Sequence, residues 1–266
     1  MLTYESLLRQ AQMRGMPAQK PRGILREYLQ ILILKEVYKT KLGKKLFFTG
    51  GTYLRLAHQL KRFSEDLDFN ANALLKSEFE KLAKTVSKEL ARLGFESDVS
   101  FSYWDGIYAC QLNFGEVEKA YNIVSKYAKK QGMVIKLETN TLRRKAGKEP
   151  QAISGFGELF PCICTERGFL FADKIDALLK KNRARHLYDI IFMLSNNFPI
   201  DLKAMKALGI NQDPLRVISK AVAGFSNSEL KRQAEHLRPF LFEENEADLI
   251  TNAHHIISSL LHNYKP

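Results

Sequence analysis

Apolar positions at the start of the chain recur at helical spacing. Residues 3–13 predict a short helix, and a longer one follows Pro21, whose fixed φ suits a first helical turn. Leu25, Tyr28, Leu29, Leu32 and Val37 form its apolar stripe, and Ile31 and Ile33 carry the apolar surface nearly all round, the mark of a buried helix. "KKLFFTGG" then reads as a short buried strand ending at Gly50-Gly51, "TYLRLAHQLKRF" as a helix capped by Thr52, and "DLDFNA" as the next strand. Leu75, Phe79, Leu82, Val86, Leu90 and Leu93 trace an amphipathic helix. "FESDVSFSYWDGIYACQLNF" predicts two strands joined at Asp105-Gly106, a favoured hairpin turn. A helix over "VEKAYNIVSKYAKKQG", closed by Gly132, and a strand over "MVIKLETN" follow.

The polar, basic stretch 141–157 is expected to be a loop between two lobes. Beyond it the pattern is mostly helical. "FLFADKIDALLKK" and "RHLYDIIFMLSNN" form a helical pair, and Leu249, Ile250, Ala253, Ile256, Ile257, Leu260, Leu261 and Tyr264 keep helical spacing to the end. The predicted organisation is a mixed α/β lobe over residues 1–158 and a mainly helical lobe over 159–266.

The charge changes the picture. Across 266 residues the formal net charge is +12, which favours polyanions: nucleic acid, nucleotide phosphates or an acidic protein partner, against the other reading of a well-solvated basic surface. Nine Lys or Arg stand against the single acid Glu138 over residues 119–148, with Arg143, Arg144 and Lys145 the densest group and the candidate RNA-binding element. The alternative is a solvated basic face. Cys110, Cys162 and Cys164 make no disulfide framework, and Cys162 and Cys164 are expected to share one face of a strand. The longest apolar run, "ILIL", is too short for a membrane span, and the first residues carry no signal-peptide core, so a cytoplasmic protein is expected.

The candidate chemistry lies in "FFTGGTYLRLAHQLKRFSEDLDFN". Asp66 and Asp68 fall at strand spacing, so both carboxylates point to one face. Like charges so close call for a cation or a shared proton. Strand, Gly-Gly, helix is a phosphate-binding device, because glycine lets the backbone approach an anion and the helix start offers free N–H groups. Gly50, Gly51 and the Thr52 hydroxyl are the expected triphosphate cradle, with Ser64 and Arg55 as further phosphate-binding candidates. Ser64 reads equally well as a turn residue, and Arg55 as a residue steadying the acids. Mg²⁺ answers the carboxylate pair, since it takes oxygen ligands from one or two carboxylates beside substrate phosphates. Glu138 is the candidate third ligand; its other reading is an exposed polar residue on a half-buried strand.

"GGTYLR" followed by "RFSEDLDF" resembles the AbiEii/AbiGii-type abortive-infection toxin nucleotidyltransferases, a branch of the polymerase-beta-like superfamily. The similarity is clearest over residues 44–72 and 166–194, where "DKIDALLKKNRARHLYDI" matches the family's helix-borne lysine, arginine-rich turn and aspartate. These map to Lys174, to Arg183 and Arg185, and to Asp189. Relatives commonly carry aspartate after the turn arginine, where this chain has His186. The resemblance implies an α+β fold: a small mixed β-sheet nucleotidyltransferase core with flanking helices and a helical C-terminal lobe. It also implies transfer of a nucleotidyl group from an NTP, with RNA such as tRNA as acceptor and a cognate antitoxin as partner.

Asp66, Asp68, Lys174 and Asp189 are thus the candidate catalytic residues, with Lys174 also a nucleotide-binding candidate. Lys174 stands among Leu170, Phe171, Ala177 and Leu178, so its ammonium needs an anion, either the triphosphate or Asp189. A structural salt bridge is the competing reading of Asp189. Arg62 reads as a phosphate contact or a solvated helix-end charge, and Trp104 and Tyr103 as base-stacking rings or, more in keeping with the pattern, core or surface packing residues. Other readings of the whole are nucleotidyl transfer to a protein or small-molecule hydroxyl, and a degenerate nucleotide- or RNA-binding module.

Overall fold

A computed structural model describes residues 1–123, 132–141, 146–181 and 183–265. These residues gather into two compact units: Met1–Gln59 with Phe63–Thr165, and Leu60–Arg62 with Glu166–Pro266.

In the first unit, helix α1 (Tyr4–Met13) is capped by the Thr3 hydroxyl and α2 (Pro21–Lys39) starts on its proline. Then come strand β1 (Leu46–Thr49), helix α3 (Gly50–His58), β2 (Leu67–Ala71), α4 (Lys76–Arg92), β3 (Asp98–Trp104), β4 (Ile107–Phe114), α5 (Val117–Ala120), β5 (Met133–Thr141), β6 (Lys148–Gly155) and β7 (Glu158–Thr165). The seven strands form one sheet in the order β3-β4-β5-β2-β1-β7-β6. Pairs β2–β5 and β1–β7 are parallel and the others antiparallel, so the sheet is mixed. The α+β class and the mixed sheet expected from the sequence are both present. Helix α2 is buried nearly all round, as its apolar run requires. The Asp105-Gly106 turn closes the β3–β4 hairpin with both residues at positive φ.

Two expectations change. The stretch expected as an interlobe loop contains strand β6, which pairs with β7 along its whole length. Its alternating burial ends against the helices, a tertiary effect that its polar composition hides. Because β7 also pairs with β1, the first unit runs to Thr165 and not to residue 158. Of the helix expected before Gly132, the described part is the single turn α5; residues 124–131 lie outside the described residues.

The second unit is helical: α6 (Arg167–Lys180), α7 (Ala184–Ser195), α8 (Leu202–Ala207), α9 (Pro214–Ala223), α10 (Asn227–Leu237), α11 (Asp248–Thr251) and α12 (Ala253–Asn263). The terminal apolar pattern is broken at Asn252 into α11 and α12. The short segment Leu60–Arg62 joins this unit by packing: Arg62 bridges Leu241, and the Phe242 N–H donates to the Lys61 carbonyl at 3.0 Å.

Candidate active site

The turn from β1 into α3 is built around Gly50, whose φ is +81°. A Cβ there would lie 2.3 Å from Asp68 Oδ2 and 2.9 Å from Asp68 Cβ. Glycine is therefore needed less for the approach of an external anion than for the Asp68 carboxylate itself. Gly51 is buried in the first turn of α3. The helix begins at Gly50, so Thr52 is not its cap. Thr52 is fully buried, and its hydroxyl donates to the Asp66 carbonyl. That bond fixes the backbone just before β2 and occupies the hydroxyl that the sequence reading gave to phosphate.

Thr49 is the register partner of Asp68, and Asp68 is in turn the partner of Glu138 across β2 and β5. Asp66 stands just ahead of β2, half-buried like Asp68 and Glu138. The carboxylates thus collect at the centre of the sheet, and the chain supplies a cation of its own. Lys136, two residues before Glu138 on the same face, donates from Nζ to Glu138 Oε2. Burial works against its charge, but Glu138 first and then Asp66 and Asp68 outweigh it and hold the ammonium above the ordinary lysine range. Sequence reasoning gave Lys136 no role; its two-residue spacing from Glu138 on the same strand was the available signal.

The donors here are carboxylate oxygens, the ligand type that Mg²⁺ takes. Among the described residues no three or more His, Cys, Asp or Glu side chains are gathered as a metal-binding group. Asp66 and Asp68 fit Mg²⁺ as a pair completed by substrate oxygens, while Glu138, the expected third ligand, is engaged by Lys136. Arg55 is buried and directs Nε and Nη2 to Glu27 at 2.9 and 3.2 Å, so its guanidinium braces α3 against α2. Ser64 lies in the segment leading to the acids, and its carbonyl accepts from Gln30 Nε2 at 3.1 Å.

The second unit holds the other charged group. Asp189 on α7 is completely buried; Arg62 donates from Nε and Nη2 at 2.8 Å each, and Lys174 on α6 donates from Nζ at 2.6 Å. Burial alone would raise the Asp189 pKa, but Arg62 and then Lys174 hold it below the ordinary carboxylate value. Of the two anions open to Lys174 in the sequence reading, Asp189 is the one it meets. Arg62 is no solvated helix-end charge: its side chain is 4% exposed. Sequence reasoning missed it, because nothing local marks an arginine as buried. His186 stands beside this cluster with neither ring nitrogen hydrogen-bonded to a described group. Burial and the Lys174 charge push its pKa down to about 3. Arg183 caps α7 and Arg185 lies in its first turn. Arg143, Arg144 and Lys145, the candidate RNA-binding residues, lie outside the described residues.

Residues 32–255 match the family model of the nucleotidyl transferase AbiEii toxin of type IV toxin–antitoxin systems. The chain belongs to the AbiEii family. The resemblance carried by "GGTYLR" and "RFSEDLDF" is thereby borne out over most of the chain. The AbiEii fold here is similar to that of MenT4, a nucleotidyltransferase toxin from Mycobacterium tuberculosis H37Rv, at 19% identity over 100% of both chains and a TM-score of 0.60. It is also similar to JHP933 from Helicobacter pylori, at 17% identity over 91% of this chain and 93% of that one, with a TM-score of 0.59. A comparison with curated proteins finds no match. Among the described residues no helix is long and apolar enough to cross a membrane.

Proposed function

We propose that this AbiEii-family toxin transfers a nucleotidyl group from a nucleoside triphosphate to a hydroxyl of RNA, with tRNA as the acceptor class, in a Mg²⁺-dependent reaction opposed by an antitoxin. The observation that carries this reading is the packing of the Asp68 carboxylate onto Gly50, with Glu138 beside it in register. That arrangement puts acidic oxygens directly at the start of α3, where phosphates and helix N–H groups also have reason to meet. The net charge of +12 favours a polyanionic acceptor over a protein or small-molecule hydroxyl.

Asp66 and Asp68 would hold the ion, which supplies neutralisation of the charge developing on the phosphate oxygens. The remaining steps belong to the chain. The start of α3, with Gly50 and Gly51, receives the triphosphate. The acceptor oxygen bonds to the α-phosphorus as the bond from that phosphorus to the bridging oxygen of the β-phosphate breaks. Diphosphate leaves with the electron pair, and the hydroxyl proton passes to a carboxylate of the Asp68–Glu138 pair. Lys136 keeps the carboxylates together when no substrate is bound. In the helical unit, Lys174 is proposed as a phosphate-binding cation oriented by Asp189.

The test is incubation with Mg²⁺, labelled NTPs and total RNA. Label is expected in RNA with the wild-type protein and in nothing with Asp66→Asn or Asp68→Asn, both still folded by circular dichroism. Label in protein instead of RNA would replace the acceptor; near wild-type transfer by either variant would remove the carboxylate pair from the mechanism.

A further inference from the structure

The rung that carries Asp68 and Glu138 continues beyond the acids to the edge of the sheet. On the same rung of the sheet, Glu138 pairs with Ala109 on β4, and Ala109 with Ser102 on the edge strand β3. The next rung on that face runs Asn70, Asn140, Ile107, Trp104. Strand β3 alternates along its length: Ser100, Ser102 and Trp104 are exposed, while Phe101 and Tyr103 turn to the other face. There Phe79 of α4 packs on Phe101 and Tyr108, and Lys76 lies over Tyr103, so α4 covers that side. The face that bears the acids presents Ser100, Ser102, Gln111 and Asn140 to solvent, with one large ring at its end.

Trp104 is the only tryptophan of the chain and is 45% exposed. The other outward residues of its strand are Asp98, Ser100 and Ser102, and its neighbours on this face, Ile107 and the buried Ala109, leave nearly half of the indole in water. Lys136 lies beside it, with Nζ 6.0 Å from the ring centroid, and that same Nζ is bonded to Glu138. One side chain therefore links the ring to the acids. A sheet face with an exposed aromatic ring at its edge, small polar groups and a nearby cation is how proteins take up an unpaired nucleobase.

The strand order selects which base. Gly50 follows β1 on one side of the acids, and Trp104 lies across β5, β4 and β3 on the other. In an in-line displacement the leaving diphosphate and the attacking hydroxyl stand on opposite sides of the transferred phosphorus. With the diphosphate toward Gly50, the acceptor comes from the side of Trp104. We propose that the β5–β4–β3 face is the acceptor platform and that Trp104 stacks a base of the acceptor RNA's single-stranded end. This rests on the RNA reading above and adds to it the surface and the residue that seat the acceptor.

The single tryptophan makes the proposal directly measurable. Titration with a short single-stranded RNA bearing a free 3′ hydroxyl quenches the intrinsic emission; a fully paired RNA with blunt ends and each NTP alone leave it within error. Trp104→Ala weakens single-stranded RNA binding, followed by anisotropy of a labelled oligonucleotide, by roughly ten- to a hundredfold. Trp104→Phe, which keeps a stacking face, restores most of the affinity, and Ser102→Glu on the neighbouring rung weakens it again. Quenching by an NTP alone, with a raised KM for that NTP in Trp104→Ala, would hand the ring to the nucleotide and overturn the proposal. Unchanged RNA affinity in Trp104→Ala, while label still enters RNA, would overturn the platform and leave the RNA acceptor standing. Absence of both RNA binding and RNA labelling in the wild type would overturn the acceptor reading itself. If Trp104→Ala does not fold, wild-type quenching and the Trp104→Phe and Ser102→Glu affinities decide.

Discussion

Arg62 and Asp189, 127 residues apart in the chain, are locked in a two-pronged ion pair, with Nε on Oδ1 and Nη2 on Oδ2, each at 2.8 Å. The pairing is the fork geometry that a guanidinium makes with a carboxylate and a lysine cannot copy. It is fully desolvated on the acid side, and Lys174 closes the remaining approach to Oδ2.

Removing Arg62 should therefore be costly. Arg62→Ala leaves a buried carboxylate with one cation, and the expected loss in urea denaturation is about 3–5 kcal/mol. Arg62→Lys recovers part of it. The neighbouring Lys61, which is exposed, gives the control, with Lys61→Ala expected within about 0.5 kcal/mol of wild type. Equal midpoints for Arg62→Ala and Lys61→Ala would show that Arg62 does not hold Asp189.

The two lysines of α6 should separate in activity. Lys174 is buried on Asp189, whereas Lys180 is 65% exposed and bonded to Asp176 across one helical turn. Lys174→Ala is expected to lower kcat/KM for the NTP by more than about tenfold, or 1.4 kcal/mol of transition-state stabilisation, and Lys180→Ala to leave it near wild type. Steady-state kinetics of label incorporation measures both.

Gly50 offers a test in which backbone strain and side-chain contact come apart. Gly50 and Gly209 both hold φ at +81°, but a Cβ on Gly209 would have nothing within 4 Å, against 2.3 Å to Asp68 on Gly50. Gly209→Ala should cost about 1 kcal/mol of stability and no activity. Gly50→Ala carries the same backbone penalty and in addition displaces the Asp68 carboxylate, so transfer should collapse. Thermal unfolding and label incorporation on the two variants give the comparison, and equal activity would detach Gly50 from the site.

His186 sets a pH dependence. Its folded pKa is depressed from 6.5 to about 3, so between those values the unfolded chain binds a proton that the folded chain does not. Stability from this residue is full above about pH 6.5 and declines as pH falls toward about 3, by about 1.4 kcal/mol per pH unit, or about 2 kcal/mol on going from pH 6.5 to 5. His186→Asn cannot titrate and should lose that slope. Urea midpoints at the two pH values, wild type against variant, check it; parallel curves would place the imidazole in water.

Periodicity and residue type alone determined most of the elements ahead of Phe114 and the helical pair α6–α7. Helix α2 follows from an apolar run behind Pro21 and the β3–β4 hairpin from Asp105-Gly106 between alternating strands, because both are short-range properties of the backbone. Strand β6 was not legible, since its polar residues become a strand only through the ladder that β7 provides. Tertiary structure alone decided the partners of the charges: Lys136 for Glu138, Glu27 for Arg55, and Asp189 for both Arg62 and Lys174. A charge carries no local mark of its burial, and its partner is fixed only when distant segments pack and exclude the water that would otherwise solvate it.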